Sequence, residues 1–179
     1  MKFRFFPAVK SHEIYAAVPS ALVSKMLDWF RTNDRNVYRS AVSALAQNRK
    51  LRPVFVEKKP LTEQYAWIHK TLQIRATDSI GEQLLQAWLM AGQQPLLAAF
   101  CDAMGIPHNG QGSVVGDLPK KIDAERLDAA VESLLAKEFH PLLVSVYLHT
   151  FNLQQPGGWP ELNEKLANDS RLKLTAVAA

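Results

Sequence analysis

Seven cations crowd into the stretch from residue 35 to residue 59: Arg35, Arg39, Arg49, Lys50, Arg52, Lys58 and Lys59. Clustered ammonium and guanidinium groups suit a polyanionic partner, because they displace the counterions condensed on its phosphates. Arg35 and Arg39 stand four apart, which places them on one face of a helix, opposite the apolar stripe formed by Val37, Tyr38, Ala41, Val42 and Leu45. Tyr38, Phe55 and Trp67 lie among or beside the cations and offer rings on which single-stranded bases could stack. Two plainer readings compete. Arg49 and Lys50 end a helical pattern, where positive charge complements the macrodipole, and Tyr38 and Trp67 recur at the spacing of core residues. No recognised nucleic-acid-binding motif accompanies the charge.

Other residues with chemical potential form no recognisable constellation. The run His108-Asn109-Gly110-Gln111-Gly112-Ser113-Val114-Val115-Gly116-Asp117 is rich enough in glycine to turn backbone amides toward an anion. A phosphate loop, however, needs a strand before it and a helix directly after it. Here a helical pattern precedes, and the nearest cations, Lys120 and Lys121, stand beyond Pro119. The run reads as an exposed connector. The five histidines (His12, His69, His108, His140 and His149) show no metal-binding spacing. Cys101 is the single cysteine, set with Phe100 and Met104 on an apolar pattern, and reads as a buried, inert thiol. No serine sits in a nucleophile elbow. Neither catalytic residues, nor a metal site, nor a cofactor is indicated. Trp159, just ahead of Pro160, reads as an aromatic packed back against the helix it precedes.

The elements that must carry these residues are helical. Apolar spacing predicts helices over about 20–31, 35–48 and 61–74, with Asp34 as the cap of the second. Ser79 and Glu82 match a capping box ahead of Leu84, Leu85, Trp88 and Leu89, and Gly92 suits a left-handed stop. Pro95 and Pro141 open further helices, Asp123 caps one between them, and Pro160 opens a last short one. Residues 1–18 read as an irregular arm anchored by Phe3, Phe5 and Phe6. The segment 54–57, rich in β-branched residues between Pro53 and Pro60, reads as a candidate for extended structure. Residues 106–122 form a long loop.

An internal echo runs through this pattern. Gln94-Pro95-Leu96-Leu97 recurs as His140-Pro141-Leu142-Leu143, with a weaker copy around Ala41 to Pro53. Spacings of 46 and 42 residues with two helices per unit are those of HEAT and armadillo repeats. The expected fold is therefore all-α, with about seven helices in antiparallel pairs, arranged as a short HEAT- or armadillo-like stack or as an irregular bundle.

With 179 residues, 47% hydrophobic and 21% charged, the chain suits one helical domain over 1–179. Its charge is divided. Residues 1–75 hold fourteen basic against five acidic side chains, whereas 76–179 hold seven against twelve, giving +9 and −5. This divides the chain into basic and acidic sub-units, a contrast that suits an anionic partner at the first half or head-to-tail contact between copies. No apolar run reaches the length of a membrane span. The apolar stretch in Met1 to Pro7 is too short for a secretory signal, so a cytoplasmic location and no membrane partner are expected. The expected function is a non-catalytic module binding a protein or peptide. A nucleic-acid-associated or regulatory role for the basic half is the alternative, and an enzyme with a site assembled across the long loop is the third reading.

Overall fold

The computed structural model describes residues 7–155 and 158–174. Their regular structure is helical, with no strand beyond one isolated bridge between His108 and Val114. In chain order the helices are α1 (Ser11–Ala17), α2 (Ser20–Asn33), α3 (Arg35–Asn48), α4 (Pro53–Glu57), α5 (Leu61–Leu72), a 3-10 turn (Arg75–Thr77), α6 (Asp78–Gly92), α7 (Gln94–Met104), α8 (Ala124–Ala136), α9 (Pro141–Leu153) and α10 (Pro160–Asn168). Ten α-helices replace the seven or so that the pattern predicts. The main additions are α1, inside the stretch read as an irregular arm, and α4, where β-branched residues suggested an extended segment. Elements of seven and five residues show too little periodicity to be read, and neither would persist without tertiary contacts.

Local signals explain most boundaries. Asp34 accepts a hydrogen bond from the Val37 amide, and Asp123 one from Glu125. His140 Nδ1 accepts one from Leu142, so an imidazole caps α9. Pro53, Pro141 and Pro160 begin their helices, where a missing N–H costs nothing. Two expectations fail. The chain enters α6 through the 3-10 turn, so the helix starts at Asp78 and Ser79 lies within its first turn instead of capping it. Gly92 is not among the residues with positive φ, since Gln93 follows at once as the N-cap of α7.

The chain divides into two compact units, one of residues 10–88 and the other of 7–9 with the described part of 89–174. In the first, α2, α3 and α5 pack on one another, α4 lies on α3 and α1 on α5. Their core includes Leu27, Phe30, Val42, Leu45, Val56 and Ile68, each at most 1% exposed. The α1 helix is held at its start by Asp78, whose carboxylate accepts hydrogen bonds from the His12 amide, the His12 ring and the Ser11 hydroxyl. In the second unit α8 packs on α7, α9 and α10, and α10 also packs on α9. Phe100, Tyr147, Phe151 and Trp159 form a chain of ring contacts there. Trp159 is buried and its indole N–H donates to the Pro119 carbonyl at 2.8 Å, so it packs inward. Phe3, Phe5, Phe6 and Gly157 lie outside the described residues. None of the described helices is long and apolar enough to cross a membrane.

Candidate functional site

The seven cations between residues 35 and 59 separate into two groups. Arg35 and Arg39 are exposed on the first half of α3. At 1.5 Å per residue, Arg35 lies about 21 Å along the helix from Arg49. The other five cations stand where the end of α3, the short α4 and the start of α5 meet. There the guanidinium of Arg49 lies over the Trp67 ring at 4.3 Å, and the Lys59 ammonium lies 5.4 Å from the centres of both Trp67 and Phe55. Lys59 also pairs with Glu63 at 3.5 Å, one helical turn before Trp67. Lys50, Arg52 and Lys58, next to these residues in sequence, are exposed.

Apolar side chains stand out from the same corner. Val54 is 53% exposed, Phe55 50% and Leu61 40%, three of the six large hydrophobic residues most open to solvent among those described. Trp67 is half-buried, with a cation over its ring. Tyr38, in contrast, is buried and belongs to the core.

The corner is held from beneath by a residue that charge does not single out. Gln64 is 5% exposed, and its amide is fully engaged. Nε2 donates to the carbonyls of Glu57 and Lys59 at 3.2 and 2.7 Å, and Oε1 accepts from the Tyr38 hydroxyl at 2.6 Å. One side chain thus fixes the turn carrying Lys58 and Lys59 to α3. Burial pushes the Tyr38 phenol up to about 12, so it remains a donor at neutral pH. Next to it Tyr65 donates to Asp28 and accepts from Arg31, whose guanidinium lies 5.9 Å from the Tyr38 ring centre. The signal was present in the sequence: Gln64 falls within the stripe of Leu61, Tyr65, Ile68 and Leu72, where a polar residue must find partners.

Backbone geometry at the corner is strained. Helix α3 ends in a Schellman motif, with the Leu51 amide bonded to Ala46 O at 2.8 Å and the Lys50 amide to Gln47 O at 3.2 Å. The motif needs a left-handed residue, and Lys50 supplies it at φ 55°, the only non-glycine residue with positive φ among those described. Helix α7 ends the same way with Gly105 at φ 67°.

The other candidates resolve into structure. In the glycine-rich loop, His108 Nδ1 accepts from the amides of Gly110 and Gly112, and Asn109 Oδ1 from those of Gln111 and Ser113. The amides that a phosphate would need are therefore engaged within the loop. His108 Nε2 donates to Asp102 at 2.9 Å, so both ring nitrogens are occupied and the pair has no base to offer. Ser11, His12 and Asp78 contain the residue types of a hydrolase triad in the wrong order: the serine donates to the aspartate, not to the histidine. Cys101 is buried, and burial raises its thiol above the ordinary range. His149 is buried too, donating through Nε2 to the Leu172 carbonyl at 2.9 Å. No three His, Cys, Asp or Glu side chains among the described residues are grouped to hold a metal ion. Lys120 and Lys121 are exposed in the long loop.

No family model, curated protein or solved structure matches the chain. The candidate site therefore rests on its own features: cations and exposed aliphatic and aromatic side chains on neighbouring residues, on a turn clamped by a buried glutamine.

Proposed function

We propose that the protein is a non-catalytic helical interaction module that binds a protein partner through the corner formed by α3, α4 and α5. The observation that carries this reading is the joint exposure of Val54, Phe55 and Leu61 on a short stretch of chain that also carries Arg49, Lys50, Arg52, Lys58 and Lys59. Apolar anchors ringed by polar groups are the anatomy of a protein contact. Strain at Lys50 supports it, because a left-handed lysine where glycine would serve places a cation at the corner at a cost in stability. The packing of α2 on α3 and of α8 on its neighbours accords with paired helices in a short HEAT-like stack, an architecture that presents surfaces rather than pockets.

Nucleic-acid binding by the basic half is the second reading, favoured by the cations and by Phe55. Two features weigh against it. Trp67 already has Arg49 over its ring, and the aliphatic Val54 and Leu61 offer no stacking face to a base.

Affinity capture with the wild type and with Phe55→Ser, each with and without nuclease, separates these readings. A partner that survives nuclease and disappears with Phe55→Ser supports the module. Capture that nuclease abolishes, with anisotropy on labelled single-stranded RNA or DNA collapsing between about 50 and 200 mM salt, overturns it in favour of phosphate binding.

A further inference from the structure

The second unit offers a surface that complements this corner. Between α8 and α10 an open cavity of about 410 Å³ is lined by Ala124 and Leu127 and by Asp128, Glu161, Glu164 and Asp169. Its one lining cation, Lys165, pairs with Asp128 at 2.8 Å and with Asp169 at 3.4 Å, and Arg171 also pairs with Asp169. Glu161 and Glu164 pair with no cation among the described residues, and one buried oxygen of Glu161 has no hydrogen-bond partner there. The cavity therefore keeps negative charge that its own lysine does not neutralise. At the corner the balance is reversed: Arg49, Lys50, Arg52, Lys58 and Lys59 face only Glu57 and Glu63 nearby in sequence.

We infer that the partner of the corner is a second copy of this chain. The corner of one molecule docks on the α8–α10 cavity of another, with Phe55 entering beside the exposed Ala124 and with Lys58 and Lys59 set against Glu161 and Glu164. This inference rests on the corner being a protein-binding surface, and it names the partner. The cavity volume exceeds that of a phenylalanine side chain, and the charges are of opposite sign. Each molecule carries both halves of the contact, so association is head-to-tail and grows with concentration, into a ring or an open chain according to the rotation at each contact. A contact that rests on charge pairs near the surface is sensitive to salt.

The test is sedimentation velocity on the full chain over a range of concentrations at about 50 and 500 mM salt. The expected result is a mass that rises with concentration at low salt, with the dissociation constant increasing on the order of tenfold at high salt. The corner variant Lys58→Glu/Lys59→Glu and the cavity variant Glu161→Lys/Glu164→Lys should each be monomeric with an unchanged helical circular dichroism spectrum. An equimolar mixture of the two should associate again, since it restores one native corner facing one native cavity. A wild type that stays monomeric throughout overturns the inference, as do variants that associate like the wild type or a mixture that stays monomeric. If the wild type is monomeric yet Phe55→Ser still loses a nuclease-resistant partner, self-association fails while the protein-binding role of the corner stands. If that partner is retained by Phe55→Ser, the corner reading fails as well.

Discussion

At the scale of single residues, Gln64 governs the corner without touching solvent. Gln64→Leu preserves shape approximately but leaves two carbonyls and the Tyr38 hydroxyl without their partner. Unsatisfied buried groups cost about 1–3 kcal/mol each, so we expect a loss of roughly 2–3 kcal/mol in urea unfolding, allowing for partial hydration of the turn. His149 gives a second test. Burial lowers its pKa below the ordinary 6.5, so the unfolded chain binds the proton more readily than the folded one. Stability from the neutral ring is therefore complete above about pH 6.5, falls as the pH drops toward the folded pKa, and levels off below it. The urea midpoint should decline as the pH falls below about 6.5, and His149→Gln should flatten that decline. The seven cations and Phe55 could be picked out as candidates by residue type, but the separation of Arg35 and Arg39 from the other five could not. The role of Gln64 was not, because its three partners come from α3 and from a turn whose geometry appears only when α4 folds.

Among the elements, α3 and α7 provide a matched pair of helix ends. Both close in the same motif, one on Lys50 and the other on Gly105. Lys50→Gly should relieve a left-handed side chain and raise stability by about 0.5–1 kcal/mol. Gly105→Ala should do the opposite, costing about 1–2 kcal/mol, and the new methyl would also displace the Arg126 guanidinium, whose Nε donates to Ala103 O at the end of α7. Thermal unfolding of the two variants gives opposite shifts if the shared geometry is the cause. Long elements could be read closely from sequence: α3 runs from 35 to 48 as the apolar spacing implies, with Asp34 as its cap. The short ones escaped because α1 owes its start to Asp78, some sixty-five residues away in sequence, and α4 depends on contact with α3.

For the whole molecule, the division of charge recurs in the two compact units. Residues 10–88 hold twelve basic and seven acidic side chains, and 89–174 hold seven and ten. The helical class was legible from periodicity throughout, whereas the boundary between units was not, since it falls inside the continuous helix α6 between Trp88 and Leu89. A chain built in this way holds a natural clock in each unit. Cys101, the only thiol, is 1% exposed within the second unit, so a thiol reagent reacts only as fast as that unit opens. Three of the four tryptophans, Trp29, Trp67 and Trp88, lie in the first unit, so the emission reports chiefly on the opening of that unit. Labelling kinetics and fluorescence followed through the same urea titration should coincide if the units open together. If they do not, the chain has two separate lifetimes, and the half that opens sooner will set how long the molecule survives a protease.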